Sequence, residues 1–169
     1  VLVRQRMGLL EPHVGHGGRD RQARLSLAAK AIAVHSLRQA KAAAAAAAET
    51  GQPVLLLSAP AAAGTVGPAW FEALVRMAAS AFPGVTVEGA LDCGDMPGHA
   101  LAALRHGSKV IRYDGPAFDA IADIAGQCGA TVMRVRPPAL DLSSLPGSGD
   151  ADDPAALAEA CRRWLQGEA

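Results

Sequence analysis

Five short apolar runs recur along the chain: KAIAV (30–34), PVLLLS (53–58), VTVEGAL (85–91), SKVIRY (108–113) and ATVMRV (130–135). Each is too short for a helix, and the segments between them place apolar residues at helical spacing. Phe71, Leu74, Val75, Ala78 and Phe82 follow i, i+3, i+4, i+7 and i+11, the stripe that one helix face buries. A repeated succession of strand, helix and strand leaves few architectures, because parallel neighbours are joined by right-handed crossovers. The pattern predicts an α/β protein with a parallel sheet of about five βα units, too few to close an eight-stranded barrel.

The expected strands lie near 31–34, 54–58, 86–91, 109–113 and 130–135, and the helices near 36–50, 68–82, 96–106, 116–128 and 154–166. Pro68, Pro97, Pro116 and Pro154 sit near helix starts, where a missing N–H costs nothing. Gly51, Gly107 and Gly129 follow helical segments, where a left-handed cap residue is wanted. The expected core includes Val54, Leu56, Leu74, Val75, Leu91, Leu101, Leu104, Ile111, Ile121 and Val132. One stretch admits two conformations. Leu25 to Ala48 has the propensity for one long helix; alternatively Ala31–Val34 is a strand and Ser36 caps a helix reaching Thr50.

Lys plus Arg number 16 and Asp plus Glu number 16, so no broad basic field marks nucleic acid as a partner. The most apolar window, PVLLLSAPAAAGTVGPAW, is interrupted by Pro60, Gly64, Gly67 and Pro68 and does not read as a membrane helix. Three scattered cysteines, Cys93, Cys128 and Cys161, without a CxxC pair fit a reducing, cytoplasmic compartment. Residues 1–24, rich in Arg and without periodicity, read as a disordered basic tail ahead of a single domain over 25–169. Within that domain, PAALAEACRRWL reads as a docking helix over 154–166, with Leu157, Cys161, Trp164 and Leu165 on one side.

In parallel α/β folds, ligands meet the loops at the carboxyl ends of the strands. Four such ends here are polar or glycine-bearing: Ser58 with the loop to Gly67, Asp92–Asp95, Asp114–Gly115 and Arg134–Arg136. Asp92 falls where its apolar run ends and is the candidate catalytic group. Ser58, Cys93, Asp114 and Gly115 are candidate ligand-binding positions along the same edge. Asp95, two residues before Pro97, is also placed to cap a helix. His99 lies four residues past Asp95, a spacing of one helix face, which reads as a solvated pair rather than a metal site.

SLRQAKAAAAAAAETGQPVLLLSAP and GPAWFEALVRMAASAFPGVTVEGALDCGDMPGHALAALRHGSKVIRYDG together resemble the first half of the class II, zinc-dependent sugar-phosphate aldolases, over roughly residues 31 to 115. Members of that family are (β/α)8 barrels. The resemblance implies a partial TIM barrel, with Asp92 at the family's proton-transferring Asp and Cys93 at the following zinc-ligand His. Ala90 stands where the family motif opens with His, and Pro116 replaces the Ser after Asp114-Gly115. The later family histidines have no counterpart beyond His106, so the zinc set is incomplete. No metal site and no cofactor are therefore expected.

The function this implies is a degenerate aldolase-like domain without zinc-dependent aldol cleavage. It would serve as a binding or assembly module for a small phosphorylated ligand. Exposed parallel sheet edges argue for a homo-oligomer. The alternatives are a sugar-phosphate lyase whose site a partner chain completes, and a small flavodoxin-like ligand-binding domain.

Overall fold

The computed structural model describes residues 29–145 and 153–168; the basic tail expected over 1–24 lies outside them. Within them the chain alternates as the apolar runs require. The order is β1 (Lys30–Ala33), α1 (Leu37–Thr50), β2 (Val54–Leu57), α2 (Gly67–Ala81), β3 (Val87–Asp92) and α3 (Pro97–Arg105). Then come β4 (Val110–Arg112), α4 (Phe118–Gln127), β5 (Thr131–Met133), β6 (Ala139–Asp141) and α5 (Pro154–Gln166). A 3-10 turn over Ala62–Gly64 precedes α2, and another over Leu142–Ser144 follows β6.

All six strands are parallel, in the order β5-β4-β3-β2-β1-β6. From β1 to β5 each strand is laid beside the last in one direction, as consecutive strands of a (β/α) barrel are. A flavodoxin-like sheet reverses direction after its first strands, so this order rules out that alternative. The single long helix over Leu25–Ala48 is likewise excluded, because Lys30–Ala33 pairs with β2 and the helix begins only after Ser36. The strand β6 was not expected, and it covers the edge that β1 would otherwise expose.

Right-handed crossovers between strands laid in one direction put α1–α4 on one face of the sheet. Ile32, Leu56, Leu91 and Ile111 turn towards that face and pack with Phe71, Leu74, Leu104 and Ile121 in one buried cluster. Leu101 and Val132, expected in the core, are only half-buried at its margin. The approach of α2 to β3 is tight: a Cβ on Gly89 would meet Val75 Cγ2 at 2.5 Å. The opposite face has its own buried apolar cluster of Ala31, Leu55, Leu57, Ala90, Val110 and Met133. Side chains alternate along a strand, so Asp92 and Arg112, paired across β3 and β4, continue this second face at its carboxyl end.

The helix α5 packs beside β1 and α1, with Leu157, Cys161 and Leu165 buried. Trp164 Nε1 donates to the Ala31 carbonyl at 2.9 Å, and Arg162 reaches Glu49 of α1 at 2.9 Å. The face that α1 presents is built of alanines, with Ala40, Ala43, Ala44, Ala46 and Ala47 all buried. Small side chains let the helices approach closely, and the high helix propensity of alanine keeps α1 regular. No helix among the described residues is long and apolar enough to cross a membrane.

Candidate functional site

The carboxyl ends of β2 to β5 converge on Asp92, which is fully buried. Its Oδ1 accepts from the backbone N–H of Gly94 at 2.9 Å, from that of Ala61 at 3.1 Å and from Arg112 Nη1 at 3.3 Å. Its Oδ2 accepts from Arg136 Nη1 at 2.7 Å. A buried carboxylate is tolerated only when donors of this kind surround it.

Each donor is brought in by a different element. Arg112 is the last residue of β4, in register with Asp92. Arg136 follows β5 and crosses to β2, where Nη2 donates to the Ser58 carbonyl at 2.7 Å. Ala61, in the loop after β2, has φ 52, the one left-handed non-glycine backbone among the described residues. Such a conformation is strained for alanine, and the bond to Asp92 helps to hold it. Gly94, at φ 60, lies against it; a Cβ there would come within 3.2 Å of Ala61 Cβ.

Ser58 is also buried and its hydroxyl is committed, accepting from the Asp92 N–H at 2.9 Å and donating to the Ala59 carbonyl at 3.1 Å. Asp114 is exposed; it pairs with Arg112 Nη2, and its N–H donates to the Gly94 carbonyl at 3.1 Å. Gly115 is needed for close approach, since a Cβ would fall 2.3 Å from both the Asp95 carbonyl oxygen and the Tyr113 hydroxyl. Ser58, Asp92 and Asp114 therefore belong to one bonded cluster, with Gly115 at its rim.

Cys93 does not join them. It points away into the helix-side core and is fully buried. Burial first, and then the neighbouring Asp92, push its thiol up to about 12 against the opposing influence of Arg112. Packed in that core, it is turned away from the strand-end edge where a zinc ligand would have to stand. Among the described residues no three His, Cys, Asp or Glu side chains are grouped to hold a metal ion. The donor set does not fit the zinc that the sequence resemblance implied.

Asp95 is not the cap of α3. That position is Met96, without a side-chain bond, and Pro97 alone sets the start. His99 packs against the turn before α2, where a Cβ on Gly64 would strike its Cε1 at 2.7 Å, and Asp95 is exposed. Sequence reasoning missed Arg112 as a site residue, and it missed His35 and Asp141 at the ends of β1 and β6. Arg136 lay within a flagged strand end without a role.

No protein-family model matches the sequence, and neither does any curated protein. Among solved structures the chain is similar to a provisionally assigned fructose-1,6-biphosphate aldolase from Coccidioides immitis. The identity is 19% and the TM-score 0.49, over 85% of this chain and 55% of that one. The chain thus spans little more than half the length of that protein, and a likeness at this level bears on neither activity nor site.

Proposed function

We propose that the chain is an aldolase-like binding domain that takes a small phosphorylated ligand at the carboxyl-end mouth, and that it does not carry out zinc-dependent aldol cleavage. The observation that carries this reading is the condition of Asp92. A carboxylate that moves protons on a substrate needs an oxygen within reach of it. Both oxygens of Asp92 are engaged and the group is fully buried. It acts as a strut that holds two guanidiniums at the mouth. Those guanidiniums, unlike the carboxylate, keep part of their surface open, with the Arg112 and Arg136 side chains 17% and 25% exposed. Planar guanidinium donors suit phosphate oxygens.

The test is titration with inorganic phosphate and with dihydroxyacetone phosphate, followed through the arginine side-chain Nε–H resonances. Saturable shifts at Arg112 and Arg136 are expected, weakening with added salt. Stoichiometric zinc together with Asp92-dependent cleavage of a ketose phosphate would overturn the reading.

A further inference from the structure

A second pair of polar side chains stands on the same end of the sheet, away from Asp92. His35 follows β1, and Asp141 ends β6, the strand paired with β1 at Ala33↔Asp141. His35 Nε2 lies 2.8 Å from Asp141 Oδ1. Both partners are anchored. The His35 N–H donates to Gln39 Oε1 at 2.8 Å, and the Ser36 hydroxyl accepts from the Gln39 N–H at 3.2 Å. This is a variant of the capping box, one residue displaced, and it fixes the chain on which the imidazole is mounted. Asp141 Oδ1 accepts from the Ser143 hydroxyl at 2.8 Å and the Ser143 N–H at 2.9 Å.

Burial alone would raise the Asp141 carboxyl, but the Ser143 bonds and His35 outweigh it and hold the group below the usual carboxylate range. It is therefore ionised at neutral pH. In the neutral ring, an ionised carboxylate at Nε2 fixes the proton there and leaves Nδ1 with its lone pair. That nitrogen has no partner among the described residues, and the imidazole is 31% exposed. The Ser143 hydroxyl is directed at the carboxylate instead of the ring, so the trio is not a nucleophilic serine relay. Strand β1 adjoins β2, whose last carbonyls receive Arg136. Neighbouring strands lie about 4.8 Å apart, so the imidazole stands about one strand spacing from the β2 end that receives Arg136.

We propose that His35 and Asp141 form an acid–base dyad that moves a proton on a small anionic carbonyl compound held at this mouth. This rests on the reading of the mouth as a site for a small phosphorylated ligand. His35 Nδ1 takes the proton from the carbon next to the carbonyl. The C–H electron pair becomes the carbon–carbon π bond of the enolate, and the carbonyl π pair moves to oxygen, where a guanidinium offers compensating charge. The proton on the exposed ring trades with solvent, and the ring then returns a solvent-derived proton to the same face of the same carbon. Nothing is oxidised or reduced and no second reactant is needed; the net result is exchange of that hydrogen with solvent. His35 is the catalytic residue, and Asp141 is a positioning residue.

The experiment uses the full chain in heavy water, with dihydroxyacetone phosphate as the probe. Proton NMR follows loss of the carbon-bound hydrogen signal, and the arginine Nε–H shifts report binding in the same samples. Exchange above the buffer rate is expected, falling about 100-fold or more in His35→Gln with binding unchanged. Asp141→Asn should lower the exchange rate about tenfold, again with binding intact, a split that a merely structural role would not produce. Should the Gln variant fail to fold, as judged by circular dichroism, His35→Asn takes its place. Binding without exchange, or exchange untouched by the His35 variants, overturns the dyad. Failure of the probe to bind overturns the reading of the mouth on which it rests, and the dyad proposal with it.

Discussion

Asp92 and Asp141 are the same residue type at the same end of the same sheet, three strands apart, and they have been put to opposite uses. Asp92 is fully buried and meets two guanidiniums and two backbone amides. The Asp141 side chain is 44% exposed, and its bonds converge on one oxygen, from His35 and Ser143. A carboxylate saturated with donors in a dry setting is a structural brace. One that shares a single oxygen with an imidazole at the rim orients the ring beside it and leaves the pair accessible. Position at a strand end makes a carboxylate available for chemistry; burial and donor supply decide whether it is used for it.

The largest expected effect is at the brace. Asp92→Ala leaves two half-buried guanidiniums and the Ala61 and Gly94 amides without their acceptor, and should cost about 3 kcal/mol in urea unfolding, the low end of the range for breaking a buried charge pair. A loss no greater than that of Asp141→Ala would break the comparison. Next comes Cys93, adjacent to Asp92 in sequence but on the other face. Cys93→Ser puts a hydroxyl into the apolar helix side and should cost about 1–3 kcal/mol. In the wild-type protein, exposed Cys128 should react with a thiol reagent first, with Cys93 and Cys161, both pushed up to about 12 by burial, held back until unfolding. Rapid labelling of Cys93 would place it in the mouth after all.

The smallest effect belongs to Asp141. Its folded carboxyl lies below the unfolded value of about 3.9, so the folded state binds fewer protons in that interval. The contribution is full above the unfolded value and disappears as pH falls through the folded one. Solvent screening keeps it under about 1 kcal/mol. Acid titration of stability in wild type against Asp141→Asn should show a slightly shallower fall for the variant below pH 4, and identical curves would remove the interaction from the account.

The strands and helices were legible because each carries its own evidence. Pro97 and Pro154 mark helix starts, Ser36 and Gly51 bracket α1, and the Phe71–Phe82 stripe states which face of α2 is inside. β6 was not legible: ALD is three residues long, and only its pairing with β1 makes it a strand. The edge on which Ser58, Asp92 and Asp114 meet followed from strand ends alone. The partners of Asp92 did not, since Arg136 lies 44 positions away and nothing local announces which carboxylate it serves. Cys93 was misplaced by one step of alternation: its neighbour faces the mouth, so it must face the helices. His35 sat unremarked for the same reason as Arg136, with Asp141 a further 106 residues along.

The place of β1 next to the edge strand also has a kinetic meaning. One side of it is closed by β2, beginning at Lys30↔Val54, after a single helix. The other is closed by β6 and by the Trp164 indole, 133 positions from the carbonyl it binds. Closing so long a loop carries a larger entropy cost and is repaid only once the destination exists. The run from β1 to β5, in which every strand pairs with its sequence neighbour, can assemble stepwise first. Pulse-labelled hydrogen exchange during refolding should therefore find the amides of β2 to β4 protected before those of β6 and α5, with the last stretch docking onto a sheet already formed.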